Sequence, residues 1–190
     1  MIAYIALAVF LFVIVGIALY FVSLYNGLVM LSRNVDKSWA NIEVLLKQRH
    51  DEIPKLIKIC EGYMKYERET LEKITAARTA CIQATGIADS ARKEGELTGL
   101  LRQLFAVAEN YPDLKANQNF LQLQQRTSYL ENQIADRREF FNDTVNNYHI
   151  RIHQIPDMWV AGMLTMRDKE LFKVAEEDKK DVDINFNLPK

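Results

Sequence analysis

Glycine and proline are scarce in this 190-residue sequence, which has 7 glycines and 4 prolines. These residues often end helices or form turns, and a sheet protein needs frequent turns. The sequence instead uses leucine, alanine, glutamate, lysine and glutamine freely, and these residues favour helices. We therefore expect an all-α protein with one domain of ordinary size.

Neither sign of charge is in excess. Lysine and arginine total 24, whereas aspartate and glutamate total 25. A balance of this kind creates no strong electrostatic field to attract nucleic acid or anionic lipid. The composition therefore predicts no nucleic-acid partner.

Cysteine is limited to Cys60 and Cys81. If one straight helix carried both, their separation would be about 31 Å, which is too long for a disulfide. Both fall in the apolar register of their predicted helix, so we interpret them as small core residues rather than nucleophiles. No cysteine precedes position 60, so the residues near the N-terminus offer no thiol for a lipid anchor.

Charged side chains are missing from residues 1–32. Within this stretch, residues 2–24 form an apolar run that is longer than the ~20 residues needed to span a bilayer as a helix. Tyr4 lies near one end of the run and Tyr20 near the other, where tyrosine rings sit among lipid headgroups. We predict a single-pass membrane anchor over residues 1–25.

Two other interpretations of this run are a core helix of a soluble protein and a cleaved signal peptide. A buried helix of a soluble protein rarely stays apolar on every face for so long. Gly16 and Ala18 fit a small-x-small cleavage site, but no lysine or arginine precedes the run, which exceeds the usual length of a signal peptide. We therefore prefer the membrane anchor.

The orientation of the anchor depends on the charges beside it. Arg33 and Lys37 follow the apolar run, and positive charge favours the cytoplasmic side of a membrane. The contrast rests on two cations, because the other flank has no charged side chain. The rule therefore favours a cytoplasmic position for the chain after the anchor.

Apolar residues continue after the anchor at three- and four-residue steps, the spacing of one helix face. We expect the anchor helix to run directly into the first soluble helix. Pro54, with Asp51 as N-cap, predicts either a new helix or a kink. A second soluble helix is then expected to extend to Gly86, and Asp89 with Ser90 is expected to start a third.

The third helix is predicted to end in a turn at residues 110–113, and the fourth at Pro156. Each helix has one apolar stripe, and short connections favour antiparallel packing. We predict an antiparallel up-and-down bundle over residues 26–155, with four soluble helices, or three if Pro54 only kinks the chain. Residues 156–190 are predicted to form an apolar strap and a charged tail.

Three ordered blocks of sequence follow the anchor. They are YNGLVMLSRNVDKSWANIEVLLKQRHDEIPKLI, then ENYPDLKANQNFLQLQ, then ADRREFFNDTVNNYHIRIHQIP with a later AGML. Their order and spacing resemble those of the LemA family from residue 25 to about residue 172. The matching residues are Tyr25, Asn26, Val35, Trp39, Asn41, Arg49, Ile53, Pro54, Tyr111, Pro112, Asn117, Asn119, Arg138, Asn142, Tyr148 and Pro156.

The resemblance implies a mainly helical bundle behind an anchor in the inner membrane of a bacterial cell, with no established enzymatic activity. It also implies membrane zinc proteases and membrane-remodelling proteins as partners. Some relatives carry a lipid-anchored cysteine just before the Tyr-Asn pair, where this chain has Ser23 and Leu24. A lipoprotein displays its domain outside the cytoplasm, so the resemblance leaves both sides of the membrane open.

Motifs of catalysis and metal binding are not evident. His149 and His153 lie one helical turn apart, but the residues between them lack the glutamate of an HExxH site. His50 is remote in sequence, and Asp157 lies past the end of the helix. Glycine-rich phosphate loops and Ser-His-Asp patterns are also missing. We therefore expect no enzymatic activity, no cofactor and no metal.

Six polar residues of the matched blocks have two interpretations. One is a surface for a ligand or partner, and the other is a hydrogen-bonded network that fixes helix register and loop geometry. We favour the network, because asparagine and arginine suit capping and buried pairing. The six residues are Asn41, Arg49, Asn117, Asn119, Arg138 and Asn142.

The segment after Pro156 is apolar and contains a tryptophan. In an up-and-down bundle this segment returns to the bilayer side. It either contacts the headgroups or a partner's membrane segment, or packs as a strap over the end of the bundle. The candidate contact residues are Met158, Trp159, Met163 and Leu164.

The preferred function is a non-enzymatic, membrane-anchored scaffold or adaptor. It would present its bundle surface to membrane or envelope proteins, or to further copies of itself as a homo-oligomer. The alternative is a ligand-sensing or envelope-stress signalling module with a polar pocket between helices. A roomy polar cavity that contains Arg49 or Arg138 would favour the sensor, whereas a closed bundle would favour the adaptor.

Overall fold

The structure is a computed structural model that describes residues 1–173. Within this range the chain forms six helices and no strand, so the predicted all-α class is confirmed. Four helices are long, and the other two have 4 and 7 residues. The elements are α1 (Ile2–Tyr63), α2 (Arg68–Ile82), α3 (Ile87–Ala108), α4 (Pro112–Lys115), α5 (Gln118–His153) and α6 (Asp157–Met163).

The N-terminal helix α1 contains 62 residues, a length of about 93 Å at 1.5 Å per residue. Residues 1–23 are all exposed, and Leu24 is the first buried residue. Among residues 1–173, α1 is the one helix that is long and apolar enough to span a membrane, and its most apolar stretch has no buried residue. The predicted continuation of the apolar run into the bundle is therefore confirmed.

Pro54 lies inside α1, so of the two predicted alternatives the new helix capped by Asp51 is wrong, and the helix continues through the proline. A proline lacks the backbone N–H that would bond to the carbonyl four residues earlier, which here belongs to His50. Arg78 Nε donates a hydrogen bond to this carbonyl oxygen over 2.7 Å. Because another helix satisfies the released carbonyl, α1 continues past the proline to Tyr63.

The predicted second helix is divided by a break at residues 64–67. Its first part belongs to α1 and its second part is α2, so the prediction of one helix up to Gly86 is wrong. Cys60 therefore lies on α1 and Cys81 on α2, and both are buried and free. The straight-helix distance between the two cysteines does not apply.

The third helix starts earlier than the sequence predicts. Gly86 precedes α3 as its N-cap, with a φ of 82° that glycine adopts without strain. Asp89 lies in the first turn, where its Oδ2 accepts a hydrogen bond from Thr85 N over 3.2 Å. Ser90 is buried within the helix, so the predicted start at these two residues is wrong.

The described chain divides into two compact units, and α1 and α5 contribute to both. The α6 unit contains Met1–Lys47 and Leu130–Leu171, and the α3 unit contains Gln48–Tyr129 with residues 172–173. The domain boundaries predicted at residues 25 and 155 stay a prediction. The part of the predicted charged tail beyond residue 173 lies outside the described residues.

The core of the α6 unit lies between α1, α5 and α6. Buried positions recur along α1 and α5 at three- and four-residue steps, the spacing of helices that pack along a seam. Trp39 on α1 lies against Phe141 on α5, with ring centroids 5.6 Å apart. The buried residues of this core are Leu24, Leu28, Val35, Ile42, Leu46, Leu130, Ile134, Phe141, Val145, Tyr148, Ile152, Val160 and Ala161.

The core of the α3 unit is formed by the end of α1, by α2, α3 and α4, and by the start of α5. Phe105 on α3 meets Phe120 on α5 edge to face, with ring centroids 6.4 Å apart. The buried residues of this core are Ile53, Leu56, Cys60, Met64, Leu71, Ile74, Cys81, Leu97, Leu101, Leu104, Ala108, Leu114 and Phe120.

Candidate functional site

Two opposite charges and an imidazole meet inside the α3 unit. Arg49 and His50 come from α1, Glu94 comes from α3, and all three side chains are buried. Arg49 Nη2 donates to Glu94 Oε2, and Arg49 Nη1 donates to Thr98 Oγ1 over 2.8 Å. His50 Nε2 lies 2.8 Å from Glu94 Oε1. We call Arg49, His50 and Glu94 the ionic cluster.

The register of the two helices explains why these charged residues are buried. On α1, Arg49 lies three residues after the buried Leu46 and four before the buried Ile53. On α3, Glu94 lies three residues before the buried Leu97. Residues at these spacings share one helix face, so each charged side chain points into the core. A buried charge of either sign needs a partner, and each supplies the other.

The electrostatics of Glu94 follow from these contacts. Burial acts to raise the pKa of the Glu94 carboxyl, but its hydrogen bond with His50 and the charge of Arg49 outweigh this effect and leave the pKa below its usual value. Glu94 is therefore ionised at neutral pH. An ion pair removed from water gains little net stability, but the loss of one partner is strongly destabilising. We interpret the ionic cluster as a contact that specifies the pairing of α1 with α3.

Cys81 on α2 adds a thiol to this site. Burial, followed by the nearby Glu94 carboxylate, raises the pKa of Cys81 to about 12. The thiol is therefore protonated at neutral pH. The donor atoms of His50, Cys81 and Glu94 all lie within 4.8 Å of one another. Imidazole, thiol and carboxylate are the side-chain groups that bind zinc.

The sequence predicted a role for Arg49 in a network but missed the other members of this site. His50, Cys81 and Glu94 lie on three helices and are far apart along the chain. One feature of the sequence does point to the site, because Arg49 and Glu94 carry opposite charges in the apolar registers of two helices. Local spacing does not reveal that these two helices pair.

Asn117 caps α5 at its start in the α3 unit. Its Oδ1 accepts hydrogen bonds from Asn119 N over 2.9 Å and from Phe120 N over 3.1 Å. Its Nδ2 donates to Tyr63 OH over 3.1 Å, which links the start of α5 to the end of α1. Asn119 itself is exposed and takes part in the cap through its backbone N–H. These contacts favour the network interpretation for Asn117.

The other three predicted polar residues belong to the α6 unit. Asn41 is exposed, whereas Arg138 and Asn142 are half-buried. Asn41 lines an open groove of about 510 Å³ between α1 and α5, and neither Arg138 nor Asn142 lines it. We call it the α1–α5 groove. The side chains that it offers include Asn34, Lys37, Asn41, Arg137, Phe140 and Asn147.

A second open groove, of about 610 Å³, lies between α1 and α2 in the α3 unit. Apolar Ile57 and Leu71 line it together with the charged Glu61, Lys65 and Glu72. Neither groove is lined by Arg49 or Arg138. A ligand sensor would have Arg49 or Arg138 in a polar cavity, and these two grooves do not provide it.

The segment around α6 is tied to both α5 and α1. Arg151 Nε on α5 donates to Asp157 Oδ1 in the first turn of α6 over 2.9 Å. After α6, Lys169 Nζ donates to Ser32 O over 3.2 Å and to Asp36 Oδ1 over 2.5 Å. These bonds place the segment after α6 beside residues 32–36 of α1.

The outer side of α6 is apolar, and residues 1–173 leave it uncovered. Val160 and Ala161 are buried against the α6 unit, as expected for a strap, but other apolar side chains of α6 point outwards. Trp159 is 58% exposed. Of the other predicted contact residues, Met158 and Met163 are exposed and Leu164 is half-buried.

His149 and His153 hold the same C-terminal segment. His149 Nε2 accepts a hydrogen bond from Lys169 N over 2.9 Å, and His153 Nε2 lies 2.9 Å from Asp168 Oδ1. Among residues 1–173, neither histidine belongs to a group of three or more side chains arranged to hold a metal. Their contacts indicate a structural role.

Comparison with known proteins gives consistent matches. The sequence matches the model of the LemA family over residues 38–186. Protein LemA of Metamycoplasma hominis is 26% identical over 162 residues, which cover 83% of this chain and 73% of that protein. Two proteins of Paramagnetospirillum magneticum, magnetosome proteins MamQ 2 and MamQ 1, are each 23% identical over 175 residues. Those matches cover 78% of this chain and 64% of each MamQ protein.

Proposed function

Because the chain belongs to the LemA family, we propose that it is a non-enzymatic scaffold anchored in a bacterial cell membrane by the start of α1. The scaffold presents the α6 unit to neighbouring membrane proteins. The observation that carries this proposal is the uncovered apolar start of a helix whose later residues form a packed core.

The length of the uncovered run supports the membrane anchor. Residues 1–23 are exposed and contain no Asp, Glu, Lys, Arg or His, and as a helix they extend about 35 Å. The hydrocarbon core of a bilayer is about 30 Å thick. A bilayer would therefore cover the apolar run, and burial against protein begins directly after it at Leu24.

The α1–α5 groove supports a partner of defined chemistry. Phe140 is 56% exposed beside it, and the groove also offers Lys37 and Arg137 with several asparagine amides. An exposed aromatic ring among cations and amides suits a segment that carries one apolar and one acidic side chain. We assign the groove to such a segment, located next to the membrane span of another protein.

The uncovered side of α6 supports a contact with the bilayer. Lys169 ties the chain after α6 to Ser32 and Asp36, which lie about 12 and 18 Å along α1 from Leu24. Trp159 is exposed nearby in sequence, and tryptophan favours the headgroup region of a membrane. We therefore assign the outer side of α6 to the membrane surface.

Site-specific photo-crosslinking in intact bacterial membranes tests the scaffold. A photoreactive phenylalanine analogue replaces Phe140, and in a matched control it replaces Ile150, which is also exposed on α5 but does not line the groove. We expect position 140 to capture a distinct membrane protein that position 150 does not capture.

Two results would overturn the adaptor. Identical products from both positions would show that the groove selects no partner. Capture of only lipid and further copies of this chain at position 140 would replace the adaptor with a self-assembling scaffold.

A further inference from the structure

We propose that His50, Cys81 and Glu94 form a binding site for one divalent cation of the zinc class. The ion joins α1, α2 and α3 inside the α3 unit and stabilises their packing. None of these three residues lines the α1–α5 groove or belongs to the anchor, so the site goes beyond the scaffold function.

The donor atoms are close to the arrangement that zinc requires. Zinc lies about 2.0–2.1 Å from nitrogen, 2.0–2.2 Å from oxygen and 2.3 Å from sulfur, so tetrahedral ligand atoms are about 3.3–3.6 Å apart. The donor atoms of the three residues lie within 4.8 Å of one another. His50 Nε2 and Glu94 Oε1 are 2.8 Å apart. Side-chain shifts of roughly 1 Å convert this cluster into a zinc site with a fourth position for water.

The surrounding contacts orient two of the three ligands. Arg49 Nη2 holds Glu94 Oε2, which leaves Oε1 to His50 Nε2. Thr98 holds the other terminal nitrogen of Arg49. Arg78 binds the backbone carbonyl of His50 and so fixes the backbone that carries the imidazole. Outer contacts of this kind orient metal ligands and raise affinity.

The chemistry of the donor set selects the cation. A thiolate and an imidazole favour zinc and similar borderline ions, whereas magnesium and calcium prefer an all-oxygen environment. Burial of all three residues restricts access of a substrate, so a structural role is favoured over a catalytic one.

Binding exchanges protons for the ion without any oxidation or reduction. As the Zn–S bond forms, the S–H bond of Cys81 breaks and its proton passes to solvent. His50 Nε2 gives up the proton that faces Glu94 Oε1, to solvent from a ring with two N–H groups or to Nδ1 from a ring with one, and its freed lone pair binds the ion. Glu94 is already ionised and accepts the ion through Oε1. The affinity therefore rises with pH.

Cobalt(II) binding to the full chain in detergent tests the site directly. Cys60→Ser leaves Cys81 as the single thiol of the chain, so any thiolate-to-cobalt charge-transfer absorption in this variant comes from Cys81. We expect the band at one cobalt per chain, removal of the band by one equivalent of zinc, and a higher melting temperature with zinc bound.

Matched variants separate the site from incidental binding. Cys81→Ser should lose the charge-transfer band and bind zinc at least about 100-fold more weakly, since even outer contacts of a metal site change affinity by 10–100-fold. The pair His149 and His153 lies beside the Asp168 carboxylate and has no thiol, so it gives no such band. Absence of the band in Cys60→Ser at saturating cobalt would overturn the proposal, as would equal zinc affinity of the wild-type and Cys81→Ser proteins.

Discussion

Arg49 and Glu94 are charged residues in positions that helix geometry reserves for the core. In the core, a single charge without a partner would be unfavourable by several kcal/mol. The pairing of the two residues offsets this penalty. Arg49 is 2% exposed and Glu94 4% exposed, so solvent provides little screening. The interaction therefore depends on both residues being present.

Glu94→Gln should lower the free energy of unfolding by about 3–5 kcal/mol, because it removes the carboxylate that pairs with the buried Arg49 guanidinium. Chemical denaturation of the detergent-solubilised protein measures the change. The matched control is Glu96→Gln on the same helix, where an exposed ion pair with Arg92 contributes little. A similar effect of both substitutions would contradict the account of the ionic cluster.

Helix α1 shows how a tertiary contact overrides a local rule. The three- and four-residue pattern correctly predicted that the apolar run continues into the bundle, since periodicity reports which face is buried. Pro54 left a new helix and a kink open, and α1 continues through it because Arg78 from α2 satisfies the released carbonyl. A hydrogen bond between helices is invisible to local sequence reasoning.

The break after Tyr63 and the site in the α3 unit were hidden for related reasons. Residues 64–67 contain neither glycine nor proline, and Gly62 lies inside the last turn of α1 rather than in the break, so the break itself has no local marker. Met64 is buried in the core of the α3 unit, which indicates that packing determines where the helix ends. The site formed by His50, Cys81 and Glu94 likewise exists only because α1, α2 and α3 pack together. The spacing of residues along the chain does not show which helices pack together.

The link between Pro54 and Arg78 predicts a non-additive pair of substitutions. Arg78→Met should destabilise the protein by about 1–2 kcal/mol by removing a charge-assisted hydrogen bond to a half-buried carbonyl. In a Pro54→Ala background the new N–H of residue 54 bonds to His50 O, and Arg78→Met should then have a smaller effect. A double-mutant cycle of unfolding free energies measures this coupling.

The control for this cycle is Arg68→Met, which removes an exposed arginine of α2 that pairs with Glu72. Its effect should be small and equal in both backgrounds. Strict additivity of Arg78→Met and Pro54→Ala would show that Arg78 does not compensate for the proline.

At the scale of the whole molecule, two apolar surfaces are left uncovered by residues 1–173. One is residues 1–23 of α1, and the other is the outer side of α6. The large patches of exposed apolar side chains on soluble proteins mark interaction sites. Both surfaces are assigned to the membrane, the first as its span and the second at its surface.

The α6 contact predicts quenching of Trp159 fluorescence by brominated lipids. In the Trp39→Phe protein, Trp159 is the single tryptophan, and we expect its emission to fall in vesicles with bromines near the headgroups. In the Trp159→Phe protein, the emission of Trp39 should change little, because Trp39 packs on Phe141. Equal quenching of the two variants, or none in either, would contradict the contact.

The membrane span is the central claim, and alkaline extraction of membranes from expressing bacteria tests it most directly. Two charges at the centre of the run, Val13→Lys with Ile14→Lys, oppose insertion by about 2.5–3.5 kcal/mol each. Tyr66→Lys, at a residue that is 94% exposed in the α3 unit, is the control. The wild-type and control proteins should stay in the membrane pellet while the double variant moves to the supernatant. Release of the wild-type protein by alkali would contradict the account.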